Sequence, residues 1–167
     1  AMPSVGRKFL LAGKGGLNLT HAEPLDRFIG RYAERADAVA HWLARLGPQG
    51  LRDWAEDLGV PTFVGSSGRV FPLEMKAAPL LRAWLHRLRV SGVRLHMRHR
   101  WTGGGLQRPA AHGAAAGPVP AWQIDFDAPA GPVQVHADAV VLALGGASWP
   151  RLGSDGAWQP DRKSTRL

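Results

Sequence analysis

A chain of 167 residues that is 45% hydrophobic and 20% charged has enough apolar side chains for one domain-sized core and too many for a disordered chain. It contains no Cys, which excludes disulfides, thiolate nucleophiles and thiolate-held zinc. The formal net charge of +8 comes largely from arginine, and no run approaches the ~20 apolar residues of a membrane span, so a soluble, cytoplasmic protein is expected.

The first organised stretch is FLLAGKGGLNLTH, Phe9 to His21, an apolar segment leading into a loop with three glycines, Lys14, Asn18 and Thr20. Bare backbone, a cation and small polar side chains suit a phosphate or a flavin, and equally an ordinary tight turn. Thr20-His21-Ala22-Glu23 before Pro24 has the form of a capping box and predicts a helix start there. Apolar residues from Leu25 to Leu46 recur at helical spacing over about six turns with room for one break, and Gly47-Pro48 stops them. A second helix fits Leu51 to Leu58, closed by Gly59. A third fits Leu80 to Leu88, opened by Pro79 and closed near Gly92.

The period then changes. Val93, Leu95 and Met97 alternate with Arg94, His96 and Arg98, predicting a half-exposed strand. Residues 103–120, rich in Gly, Ala and Pro, read as a loop between strands. Trp122, Ile124 and Phe126 alternate with Gln123, Asp125 and Asp127, and Val133 and Val135 continue after Pro129-Ala130-Gly131-Pro132, so an antiparallel meander is expected. The unbroken apolar run Ala139 to Leu144 instead predicts a strand covered on both faces, as in a parallel sheet. Gly145-Gly146-Ala147-Ser148 directly after it is either a place for a ligand to approach bare backbone or a Gly-rich exit turn. Gly153-Ser154-Asp155-Gly156 adds a second small-residue turn.

Other chemistry finds little support in the residues. His96 and His99, three apart on the expected strand, would point to opposite faces, so no metal site is expected. The remaining histidines are scattered, Gly65-Ser66-Ser67-Gly68 does not fit a nucleophile elbow, and no phosphate-loop motif occurs. Between Arg82 and Arg100 stand six Arg and no acid. That segment admits a nucleic-acid footprint, although solvated faces explain it as well and no exposed aromatics are interleaved to stack bases.

Four segments in order resemble a known family: Gly6-Arg7-Lys8, then LLAGKGGLNLT, then SSGRVFPLEMKAAPLLRAWL from Ser66 to Leu85, then VVLALGGASWPRLGSDGAW from Val140 to Trp158. The chain is similar to bacterial NAD(P)/FAD-dependent oxidoreductases of the aminoacetone-oxidase-like kind, relatives of the glutathione-reductase-type flavin fold. The resemblance implies an α/β, partial Rossmann-like FAD/NAD(P)-binding fold with a helical segment and a β-meander, spanning residues 1–158. It implies that Arg7, Lys8, Gly13, Gly15, Gly16, Asn18 and Thr20 line FAD, with Gly145 and Gly146 beneath it, and that NAD(P)H is a possible reductant.

Many relatives carry an Arg-Cys pair where this chain has Gly16-Leu17, so chemistry attributed to that pair is not carried over. The family's N-terminal strand, G-x-G-x-x-G, helix and acid-ended strand are not in the sequence either. The chain therefore reads as an internal fragment that begins just after that acid and binds FAD weakly or not at all by itself. Residues 159–167 are read as a non-native or disordered tail. No side chain is assigned a catalytic role. The parent activity implied is flavin-mediated transfer of electrons or hydride to or from a small substrate, and the alternative from another class is a basic α/β module that binds nucleic acid through Arg82–Arg100.

Overall fold

The computed structural model describes residues 2–102, 122–146, 150–152 and 156. The chain forms two compact units, one of Gly6–Arg94 and one of Ala1–Val5 with Leu95–Leu167. The architecture is α/β, with antiparallel pairing in both sheets.

In the Gly6–Arg94 unit the order is α1 (Arg7–Ala12), β1 (Thr20–His21), α2 (Leu25–Gly30), a 3-10 turn (Ala33–Arg35), α3 (Ala36–Leu43), α4 (Pro48–Asp57), β2 (Thr62–Val64), β3 (Arg69–Pro72) and α5 (Ala77–Val90). The sheet order is β1-β3-β2. Leu17, Ala55, Ala77 and Leu80 form the buried cluster, with Phe9, Leu19, Trp54, Leu58 and Val60 packed on it. Trp84 of α5 sets its ring edge-on to Phe9 and Trp54, at 6.4 and 5.3 Å. Such aromatic pairs add about 0.5–1.5 kcal/mol each beyond their buried area.

Two helices end by the same device. Gly59 has φ 75°, its N–H donates to Glu56 O, and Val60 N–H donates to Ala55 O. Gly92 has φ 80°, its N–H donates to Arg89 O, and Val93 N–H donates to Leu88 O. These are Schellman closures, in which glycine supplies the left-handed residue and two otherwise unpaired carbonyls are satisfied. α4 begins at Gly47 with Pro48 in its first turn, where the missing N–H costs nothing.

Several expectations are corrected. Thr20 does not cap a helix: it pairs with Val70 in the β1–β3 ladder, and α2 starts at Leu25 with no side-chain cap. Glu23, which would complete the capping box, turns its carboxylate to Arg31 instead. The helical pattern from Leu25 takes the break that its spacing allows after Gly30, and Ala33 beyond it has φ 46°. The apolar segment before the glycine loop is a helix, α1, and Gly65–Gly68 closes the β2–β3 hairpin, with Gly65 N–H donating to Arg69 O.

The second unit contains β4 (Arg100–Trp101), β5 (Trp122–Ala128) and β6 (Gly131–Ala137), in the order β4-β5-β6, followed by a 3-10 turn at Pro150–Leu152. The meander forms as read. Ile124 faces Val135 and Phe126 faces Val133, while Asp125 faces Gln134 and bonds it at 3.0 Å. Pro129-Ala130 joins the strands, and Ala128 pairs with Gly131, which is Pro at the second and Gly at the fourth turn position.

The strand expected at Val93–Arg98 is absent. Val93 is taken into the closure of α5, and Arg98 has φ 58°, which ends any extended run. Strand pairing begins at Arg100. The doubly covered strand expected at Ala139–Leu144 is likewise not formed: Val141 is 88% exposed, and the described residues supply neither parallel neighbours nor pairing for this run. Without a ladder an apolar sequence has no pleat to hold it. The 103–120 loop and the 159–167 tail lie outside the described residues.

Candidate functional site: the glycine loop and its neighbours

Gly13 to Thr20 link the C-terminus of α1 to β1. Leu17 N–H donates to Met75 O at 3.0 Å and Leu19 N–H to Val70 O at 2.8 Å, so the segment runs extended beside the start of α5 and β3. Its side chains alternate accordingly. Leu17 is buried and Leu19 packs on the core, while Asn18 is exposed and Thr20 half-buried.

The three loop glycines have different physical reasons. A Cβ on Gly13 would lie 2.5 Å from the Cβ of Ala77, so the absence of a side chain lets α1 meet α5. Gly6, at the other end of α1, repeats the device: its φ is 74° and a Cβ there would lie 2.5 Å from Leu81 Cδ2. Gly16 has φ 119° and would meet Met75 Cε at 2.7 Å. Gly15 is under neither constraint. It is exposed, its φ is not left-handed, and a Cβ there would meet nothing within 4 Å.

Arg7 and Lys8 stand in the first turn of α1, whereas the glycines follow its last. Six residues of helical rise separate the two groups by about 9 Å along the axis. They would thus meet different parts of an elongated ligand. The cation within the loop itself is Lys14, which is exposed. Gly145 and Gly146 belong to the other unit, where Gly145 has φ 72° and a Cβ on Gly146 would meet nothing within 4 Å. Ala147, Ser148 and residues 153–155 lie outside the described residues.

Immediately beyond Thr20 the unit holds a cavity of about 250 Å³, lined among others by His21, Glu23, Leu25, Pro48, Gln49 and Arg52. It is smaller than the roughly 300–1,000 Å³ usual for ligand pockets and cannot enclose a dinucleotide. His21 is fixed on both sides: Nδ1 accepts Glu23 N–H at 3.1 Å, and Nε2–H donates to Ser67 O at 3.0 Å. Those partners select the Nε2–H tautomer.

Glu23 Oε2 accepts from Arg31 Nη2 at 2.9 Å, and Arg31 Nε lies 2.6 Å from Oε1. Oε1, fully enclosed, has the ionic contact without a well-directed hydrogen bond. The hydrogen bond to Glu23, and then its charge, push the Arg31 pKa up. Arg52 Nε donates to Thr62 Oγ1 at 3.2 Å, which ties α4 to β2 beside the cavity. No local pattern marks this grouping, because its walls come from residues 21–25 and 47–52, brought together only by the tertiary fold. Among the described residues no three His, Asp or Glu side chains gather as metal ligands, and no helix is long and apolar enough to cross a membrane.

The profile of the HI0933-like protein Rossmann domain family matches residues 1–166, and the chain belongs to that family. It is an FAD-binding, oxidoreductase-type Rossmann family, in agreement with the flavoprotein resemblance of the four motifs. No curated protein matches the chain.

Proposed function

We propose that this chain is the FAD-binding part of an oxidoreductase of the aminoacetone-oxidase-like kind, and that the Gly13–Thr20 loop is one wall of its cofactor site. Family membership supports a flavin. The observation that carries the loop assignment is Gly15, which neither backbone conformation nor packing requires to be glycine, in a loop where both neighbouring glycines are so required. A position open to solvent without a side chain suits close approach of a cofactor to the main chain.

Bound FAD would supply the electron or hydride transfer, with NAD(P)H as its reductant. The chain's own residues would bind and orient it. Asn18, exposed on the extended segment, would offer its amide. Thr20 would fix the edge where the loop enters the sheet. Arg7 and Lys8, displaced along α1, would serve the anionic part of the cofactor. A cysteine-free chain is compatible with the reducing cytoplasm, where we place it. Nothing observed favours the nucleic-acid alternative.

An amide chemical-shift titration with FAD tests this reading. Saturable shifts concentrated in Arg7–Thr20 are expected, with affinity weaker than micromolar for the chain alone. Absence of shifts, or shifts confined to Arg82–Arg100, would reject it.

A further inference from the structure

We propose that His96 and His99 form a two-histidine site for a divalent late transition metal, with Zn²⁺ as the reference ion. On a strand these residues would diverge. They lie instead in a turn made by Arg98 at φ 58°, and their rings come to a centroid separation of 5.2 Å at 71°.

That separation has a chemical meaning. If one nitrogen of each ring faces the same ion, a metal about 2.0–2.1 Å from each nitrogen sits about 3.2 Å from each ring centroid, and centroids 5.2 Å apart then subtend about 110°, close to the tetrahedral angle. The turn is held before any ion arrives. Arg98 N–H donates to Met2 O at 2.9 Å, Arg100 and Trp101 continue directly into the β4–β5 ladder, and the His99 ring packs against Phe126 at 6.4 Å.

His99 Nδ1 lies 2.8 Å from Met97 O. A donated Nδ1–H there leaves the Nε2 lone pair for a metal, the backbone-carbonyl orientation common to ligating histidines. Imidazole nitrogen suits Zn²⁺, Ni²⁺ and Cu²⁺ rather than Mg²⁺ or Ca²⁺. Among the described residues no acidic group completes a third protein ligand, so water would fill the remaining positions and the ion would exchange readily. Arg94 and Arg98 nearby in sequence limit affinity by charge repulsion, while Arg100 is paired with Asp127 at 3.0 Å.

The test is Zn²⁺ titration of the full chain by calorimetry, with histidine side-chain resonances followed in parallel. One ion per chain is expected, with the ring signals of His96 and His99 moving together, and His96→Ala and His99→Gln should each weaken binding by about tenfold. His41→Ala, in the other unit, should leave it unchanged. Both substituted side chains are at least partly exposed, and His99→Gln keeps a polar side chain beside Met97 O, so folding is retained. No detectable binding, independent movement of the two rings, or equal affinity in all three variants would overturn the site.

Discussion

Gly13 and Ala77 approach so closely that a Cβ added to Gly13 would stand 2.5 Å from the methyl of Ala77. The contact joins the end of α1 to the start of α5, and Ala77 is only 3% exposed. Gly13→Ala should therefore destabilise the unit by about 1–3 kcal/mol, the usual cost of overpacking. Adding Ala77→Gly should recover part of the loss. Urea unfolding of the single and double variants reads both effects, and an unchanged midpoint in Gly13→Ala would show that the helices do not meet there.

A second close approach holds the hairpin. A Cβ on Gly68 would lie 2.6 Å from His21 Cε1, and Gly68 also has φ 78°. Gly68→Ala should cost about 1–3 kcal/mol from strain and crowding together. His21→Ala removes the donor to Ser67 O, so amide exchange at Gly65–Gly68 should accelerate while exchange in α5 changes little.

The Arg31–Glu23 pair makes a prediction about salt and pH. Arg31 is 65% exposed, so its contact is screened by solvent, and Arg31→Met should lower the unfolding midpoint by less in about 1 M salt, where the Debye length is about 3 Å, than at low salt. The Arg31 pKa is raised on folding. For a cation, that stabilisation is fully present below the ordinary arginine range and is lost only as pH rises through the raised value. Protonation of Arg31 itself should therefore add no slope to stability between pH 5 and pH 9, roughly the range in which the guanidinium stays charged. Denaturant midpoints of wild type and Arg31→Met across that range measure the difference.

Much of the architecture was legible where sequence signals act locally. Gly59 and Gly92 marked helix ends because each supplies a left-handed backbone conformation that other residues disfavour, and Gly47-Pro48 marked a boundary because Pro fits only the first turn of a helix. The β5–β6 alternation was readable because both strands keep one apolar face. The failures came where one segment competes with another. Thr20 offered a cap and a strand, and pairing with Val70 prevailed. Val93 fitted a strand pattern but was needed to close α5. The β2–β3 hairpin carries a local signal too, β-branched and aromatic residues on both sides of Gly65–Gly68. At the glycine loop the sequence showed three similar residues, and only tertiary contacts separate Gly13 and Gly16, which the packing requires, from Gly15, which it does not.

That separation provides the most direct measurement. FAD affinity and unfolding midpoint should be measured side by side for the wild-type chain and Gly15→Ala. Gly15→Ala should keep stability within about 0.5 kcal/mol of wild type, as for a surface substitution without contacts, while binding FAD clearly more weakly. FAD binding that is equally strong in the two proteins, with the fold intact, would contradict the placement of the cofactor against this loop.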